Sequence, residues 1–269
     1  MRHPALTPYC SGWQADLPHP EETPNVIPSL GLDNPNEQNA IYLEFRRPSS
    51  LARGVLLCFA FIMALQTIAM LAMIIISWNI MKASEIALIY FPTLFVLIWL
   101  GLMCYKIDVC APRDLPIRFN RLRNRIYAYN FEYRWWNPFE RWKVSPVAYD
   151  WSQVRAERWR KQGATTHGAI IKWGVVLSIV KPGSNEVIDR FHLSTMGADE
   201  HAWAYICTYM QHGPSALPPP GPPRDHNDVP WYNLALRLAP RVEWPVEMDR
   251  ESTTAPSTQT QLDTAGACN

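Results

Sequence analysis

The chain has 269 residues and a formal net charge of +1, enough length for one or two modest domains. Its six cysteines follow no C-x-x-C or Cys/His spacing, which argues against a zinc or disulfide framework and predicts reduced thiols. The small net charge conceals a basic zone at residues 113–161, where twelve basic residues face five acidic ones.

Two long apolar segments dominate the first half of the chain. Residues 54–81 and residues 86–105 contain no charged side chain. A bilayer core of roughly 30 Å is crossed by about 20 such residues in a helix. A signal peptide is a poor alternative for the first segment, because fifty residues precede it. The sequence therefore predicts a transmembrane hairpin over residues 51–106.

The orientation of this hairpin follows from its flanking charges. Arg46, Arg47 and Arg53 precede the first segment, and Lys106 opens a basic stretch after the second, whereas the connecting turn holds Lys82 alone. Positive charge favours the cytoplasmic side of a membrane. We expect a multi-pass protein of the bacterial inner membrane with both termini in the cytoplasm.

Proline frequency predicts an extended or disordered tail over residues 1–50. Within it, residues 41–45 alternate as one short strand would, if a partner strand exists. At the other end, residues 214–250 read as a proline-rich linker with a short helix before Pro240. Residues 251–269 are predicted to be a disordered tail.

Between these flanks, residues 113–213 predict an α+β domain. The two-residue period of strands runs through residues 117–131, with a turn at 120–124, and returns at residues 144–151 and 154–159. Residues 169–180 and 186–193 form the clearest hairpin, joined by turn residues at 181–185. An amphipathic helix follows, with Asp199 as its cap, Trp203 on its apolar stripe and Gly213 at its end.

Several antiparallel strands closed by one C-terminal helix resemble a pleckstrin-homology-like β-barrel. A resemblance to an uncharacterised membrane-anchored proteobacterial family, a domain of unknown function, is carried by the residue patterns at 116–121, 134–139, 180–191 and 203–210. The resemblance covers roughly residues 40–250. Its members tend to be encoded near type VI secretion effectors. The resemblance implies a membrane hairpin feeding a cytoplasmic barrel, and it carries over no catalytic residue.

One candidate site is the basic turn formed by Arg121, Arg123 and Arg125. Pleckstrin-homology domains that bind phosphoinositides place basic residues at the equivalent turn, so anionic lipid is one expected partner. The alternative is that these arginines only enforce the membrane topology. Both interpretations stay open.

A second candidate is an aromatic cluster interleaved with basic residues. It comprises Arg134, Trp135, Trp136, Arg141 and Trp142, with Phe139 between them. Such side chains could enter the lipid headgroups or grip a partner peptide, and the alternative is ordinary core packing with arginines stacked on tryptophans.

The sequence shows no recognisable catalytic or cofactor motif, and His192 and His201 lack the spacing of a metal site. We expect a non-enzymatic protein without a cofactor that presents its domain to a protein partner rather than nucleic acid. The resemblance implies that this partner is a component or effector of a type VI secretion locus, for which we expect the protein to act as accessory, adaptor or immunity protein. The alternative is an oligomeric small channel or transporter subunit, although neither segment carries the ionisable residue of an ion pathway.

Overall fold

A computed structural model of the chain describes residues 3–31, 34–47, 53–78, 83–134, 136–165, 168–193 and 199–256. Over these residues, helices and two antiparallel sheets give an α+β fold. The predicted fold class is correct at this level. The turn of the hairpin, which includes Lys82, lies outside the described residues.

Helices α1 (Val55–Ser77) and α2 (Ala83–Val109) form the predicted hairpin, and both are long and apolar enough to cross a membrane. They pack closely, since a Cβ on Gly101 would lie 3.3 Å from the Cβ of Met63. Most of their other side chains are exposed, as a lipid environment would require.

One sheet has five strands in the order β2–β3–β4–β5–β6. Their bounds are Glu37–Gln38, Tyr42–Phe45, Ile117–Asn120, Arg125–Glu132 and Lys143–Asp150 for β2 to β6 in turn. The short strand expected near residue 42 exists because β4 is its partner, with Leu43 opposite Phe119. The helical hairpin is thus inserted between two strands that pair with each other.

The second sheet has the order β1–β7–β8–β9. Its strands are Trp13–Asp16, Val154–Thr165, Gly168–Val180 and Val187–His192, again in chain order. A 3-10 helix, Trp151–Gln153, joins the two sheets. The turn before β9 uses Gly183, whose φ of 71° is a conformation that glycine adopts without strain.

Helix α3 (Glu200–His212) lies as the periodicity predicts. The Asp199 side chain accepts a 2.9 Å hydrogen bond from the backbone N–H of His201, and Gly213 ends the helix with a φ of 84°. Trp203 is 2% exposed, and its indole N–H donates to the carbonyl of Pro18 at 2.9 Å. The predicted burial of Trp203 is confirmed, and α3 contributes to the core shared by both sheets.

The predicted closed barrel is wrong. Over the described residues the strands form two separate sheets, because β1 occupies the edge of β7 that pairing with β6 would need. The 3-10 helix also turns the chain between β6 and β7.

The description of residues 1–50 as a tail also needs correction, because β1, β2 and β3 come from this segment and Leu43 and Phe45 are buried. The C-terminal region forms α4 (Leu234–Leu238), near the predicted short helix, and α5 (Val246–Thr253), which was not expected. Residues 257–269 lie outside the described part of the chain.

Candidate functional site

The two predicted candidate surfaces lie at opposite ends of strand β5. The basic turn precedes Arg125, and an aromatic loop, residues 133–142, follows Glu132. Eight residues of strand separate these ends by roughly 23 Å at about 3.3 Å per residue. The Glu132 end lies near the helical hairpin, so we call it the hairpin-proximal end and the Arg125 end hairpin-distal.

The aromatic loop is attached to the end of α2. Lys106 donates through Nζ to the carbonyls of Pro138, at 2.8 Å, and Glu140, at 2.6 Å. The same ammonium lies 4.8 Å from the centre of the Trp142 ring, a cation–π distance. A lysine assigned to topology therefore also fixes the position of the loop.

Within the aromatic loop the side chains divide into packed and exposed ones. Trp142 packs against Phe131 and Tyr133, with ring centroids 6.0 and 5.4 Å away, which agrees with the packing alternative for this residue. Trp136 and Phe139 are 55% and 73% exposed.

The charged members of the loop also face solvent. Arg141 is exposed, and Arg134 is exposed while lying 3.5 Å from Glu140. Trp135 lies outside the described residues. The hairpin-proximal end thus combines exposed aromatic and basic side chains.

The basic turn is occupied by the chain's own C-terminal segment. Arg123 donates to the carbonyls of Thr254 and Ala255, both at 3.0 Å. Arg125 pairs with Glu251 at 2.8 Å and with Asp150 at 3.3 Å.

Arg121 packs against Gly213, where an added Cβ would lie 3.3 Å from the guanidinium carbon. Its Nε is buried, with no hydrogen-bond partner in the described part of the chain. The three guanidiniums therefore do not form one open cationic face.

A buried ion network near the distal end was missed by the sequence analysis. Arg118 binds the Glu44 carboxylate at 2.5 Å and Asp249 of α5 at 2.6 Å, and it donates to Ser252 at 2.9 Å. Its guanidinium also lies 4.7 Å from the centre of the Trp244 ring. Glu44 and Arg118 lie directly opposite each other in the β3–β4 register. In the sequence, the one indication of this ion pair is an acidic residue in one largely apolar strand and a basic residue in the other.

His226 completes this network through a 3.1 Å contact from Nδ1 to Glu44. That hydrogen bond raises the pKa of His226 above its ordinary value, against the opposing effect of burial. Burial would raise the pKa of Glu44, but His226 and Arg118 outweigh it and lower that pKa. The network ties β3, β4 and the C-terminal segment together electrostatically.

A comparison with known protein families gives a match that covers both of these surfaces. The family model described as a family of unknown function, DUF6708, matches residues 94–256, more than half of the chain. The protein belongs to the DUF6708 family. The match begins inside α2 and includes the aromatic loop, the basic turn and α5. No curated protein and no solved structure matches the chain.

In this DUF6708 protein, the two ends of the hairpin hold each other at its base. The buried Asp108 of α2 accepts hydrogen bonds from the backbone N–H groups of Gly54 and Leu57, each at 2.8 Å, at the start of α1. Reciprocally, Arg53 donates to the carbonyls of Asp108, Ala111 and Pro112 at the end of α2. Helix ends need such partners where water is scarce.

The two histidines considered for metal chemistry have separate neighbours in the DUF6708 fold. His192 meets the ring of Trp159 edge-on at 5.3 Å, and His201 Nδ1 lies 2.9 Å from the carbonyl oxygen of Ile27. The described ranges contain no cluster of three or more His, Cys, Asp or Glu side chains suited to a metal. Elsewhere, burial raises the pKa of the Cys10 thiol to about 12, so that cysteine is protonated at neutral pH.

Proposed function

We propose that this DUF6708 protein is a non-enzymatic interaction protein anchored in the bacterial inner membrane. Helices α1 and α2 span the bilayer, both termini lie in the cytoplasm, and the two-sheet domain is presented there to a protein partner. In a type VI secretion locus it serves as an accessory, adaptor or immunity protein.

The anchor is supported by the place of the hairpin in the fold. Strand β3 precedes it, strand β4 follows it, and these strands pair residue by residue from Tyr42 with Asn120 to Phe45 with Ile117. This pairing supports a topology in which both ends of a membrane-spanning hairpin lie on one side of the bilayer. The arginines and lysine at these ends favour the cytoplasmic side.

A pleckstrin-homology-like architecture is supported by the order of strands. Strands β3 to β6 follow one another across one sheet, β7 to β9 follow one another in the other, and α3 comes next. Several antiparallel strands followed by one C-terminal helix is the pattern on which the resemblance to that fold rests. Strands β1 and β2 are additions at the sheet edges.

The observation that carries the interaction role is a two-stranded ribbon, residues 161–165 and 168–174. It extends past β1, whose pairing with β7 ends at Trp159, and past β9, whose pairing with β8 ends at Val176. A two-stranded ribbon is marginally stable in water by itself. The exposed residues 161–163 and 171–173 therefore favour a role in contacting another molecule.

The side chains of this ribbon define the partner's chemistry. Ile171 and Trp173 are 40% and 49% exposed, although they share a face of β8 with Val175, which is fully buried. The ribbon carries two basic residues, Lys161 and Lys172, and no acidic one. A protein surface with apolar and acidic groups would complement both features.

A photo-crosslinking experiment in cells tests this proposal. A photoreactive residue replaces Trp173 in the full chain, and the matched control carries it at Lys181, an exposed position in the turn at the other end of β8. We expect one discrete protein adduct from position 173 that disappears when Ile171→Asp is added. Absence of a protein adduct from position 173, or equal adducts from both positions, would contradict the proposal.

The type VI setting rests on the resemblance in the sequence, and the neighbouring genes test it. A toxin-domain effector gene immediately upstream supports the immunity role, whereas a structural secretion gene supports an adaptor. Unrelated metabolic neighbours would remove the secretion setting while leaving the membrane-anchored domain intact.

A further inference from the structure

The C-terminal segment carries exposed apolar side chains beside the helical hairpin. Trp231 and Tyr232 precede α4 and are 83% and 73% exposed, and Leu234 and Leu238 of α4 are 55% and 53% exposed. By contrast, Ala235 of the same short helix is completely buried. Helix α4 therefore packs one face on the protein and presents an apolar face outward.

Helix α4 is attached to the base of the hairpin by specific hydrogen bonds. The Asn233 side chain accepts from the N–H of Leu236 at 3.1 Å, capping α4, and donates to the carbonyl of Arg53 at 3.1 Å. Arg113, just after α2, donates to the carbonyls of Leu236 and Ala239 at 3.1 and 3.3 Å. The apolar face of α4 thus has a fixed position at the end of both long helices.

An apolar groove of about 1140 Å³ continues from α4 along the hairpin. Ala60 and Ala64 of α1, Gly101 of α2, and Tyr232 and Leu238 line it. The outward face of α4 is therefore continuous with the surface that α1 and α2 present to lipid.

We propose that α4 with its preceding aromatic residues, together with Trp136 and Phe139 of the aromatic loop, forms a collar that binds the headgroup layer of the bilayer. This rests on the proposed membrane-spanning hairpin. Both parts are hydrogen-bonded at the same end of the hairpin, through Arg53 and Lys106. Headgroups surround a spanning helix at that depth.

The side chains of the collar match this environment. Tryptophan and tyrosine are enriched at membrane interfaces, where their rings are apolar and their N–H or O–H groups stay hydrated. The exposed Arg141 and Arg237 lie among them in sequence and complement anionic headgroups. The collar holds the domain in one orientation, with the basic turn at the far end of β5.

Fluorescence quenching in vesicles tests the collar. The full chain, with its native cysteines replaced, receives one cysteine at a time in place of Tyr232, Phe139 or Ile27, each labelled with an environment-sensitive fluorophore. Vesicles contain zwitterionic and anionic phospholipid. We expect lipid-borne quenchers to act at positions 232 and 139, with loss of quenching by aqueous iodide. Ile27 is the control, because it is 79% exposed in the N-terminal segment and contacts His201 of α3.

A fourth label at Leu65, in α1, separates the collar from the anchor. If position 65 is reached only by lipid-borne quenchers while 232 or 139 is quenched by iodide as strongly as 27, the hairpin spans the bilayer and the collar is wrong. If position 65 is itself quenched by iodide, the proposed membrane span fails first and the collar fails with it.

Discussion

Both ends of strand β5 carry arginines, but only those at the proximal end are left exposed to solvent. At the distal end, Arg123 and Arg125 are bound by residues 251–255, so their positive charge is used within the chain. At the proximal end, Arg141, Trp136 and Phe139 face outward while Lys106 fixes the loop to α2. A basic cluster in a sequence is therefore available for binding only where the fold leaves it without internal partners.

This contrast reassigns the lipid-contact hypothesis within the molecule. The basic turn was the candidate suggested by analogy with pleckstrin-homology domains, but β5 places it roughly 23 Å from the hairpin-proximal end. The proposed collar, which includes the aromatic loop, lies at the hairpin-proximal end, where headgroups would surround a spanning hairpin. The following variants test whether the distal end is indeed structural and the proximal end attached to the hairpin.

The largest effect is expected at Arg118, which joins α5 to the sheet near the distal end. Arg118→Ala leaves the buried Glu44 carboxylate without its guanidinium partner, and breaking such a buried pair costs about 3 to 5 kcal/mol. Urea unfolding of the detergent-solubilised chain, followed by tryptophan fluorescence, measures the loss. Arg158→Ala is the control, because its 3.6 Å pair with Glu200 is partly exposed. Equal small losses in both variants would show that α5 is not held by this network.

A smaller loss is expected at the base of the hairpin. Asp108→Ala removes the acceptor for two backbone N–H groups at the start of α1, and losing a helix cap costs about 0.5 to 2 kcal/mol. Asp108→Asn keeps an acceptor oxygen and should lose less. Unfolding of both variants in the same detergent gives the comparison. Equal losses for Ala and Asn would indicate that the charge, not the hydrogen bonding, is what matters there.

The network also predicts a pH dependence with a definite sign. The raised pKa of His226 means that its contribution is complete below its ordinary value of 6.5 and is lost as the pH rises through the higher folded-state pKa. The lowered pKa of Glu44 keeps the carboxylate charged until the pH falls below 4.5. The stabilisation is therefore greatest between these two limits.

Accordingly, the unfolding free energy of the wild type should exceed that of His226→Gln most clearly just below pH 6.5, and the difference should shrink at higher pH. Burial lowers the pKa of His192, so the stability that His192 contributes decreases as the pH falls, in the wild type and in His226→Gln alike. Comparing the two proteins at each pH removes that shared contribution. A difference that does not change with pH would mean that His226 acts only by packing.

The smallest effect is expected from the basic turn itself. Arg125→Gln removes two partly exposed ion pairs, each worth about 0.2 to 1 kcal/mol and screened by salt. Unfolding at low and high salt should show a loss that nearly vanishes at high salt. A loss as large as that of Arg118→Ala would make the turn a principal attachment site of α5.

The sequence predicted the elements whose signals are local. The two apolar helices, the strands from β4 to β9 and α3 were recognisable from their period, their turn residues and, for α3, the Asp199 cap. Strand β1 was missed because it has four residues and its partners, such as Trp159, lie more than a hundred residues away. The barrel was wrong for the same reason, since β1 takes the edge that closure would use.

The residue types of the candidate site could be predicted from the sequence, but which of these side chains remain exposed could not. The aromatic residues and arginines were correctly picked out as unusual, but nothing near Arg123 in sequence indicates that the carbonyls of Thr254 and Ala255 bind it. Likewise, Trp231 and Tyr232 follow a proline-rich segment, and only the folded chain brings them beside the start of α1. Long-range partners decide which polar and aromatic groups remain free.

Topology mapping tests the central proposal most directly, since β3 and β4 can pair only if both ends of the hairpin lie on the same side of the membrane. Reporter domains are fused at Met1, at Asn269 and, in a third protein, within the turn at residues 79–82. We predict cytoplasmic signals from both termini and a periplasmic signal from the turn. A periplasmic signal from one terminus alone would separate β3 from β4 and contradict the proposed membrane anchor.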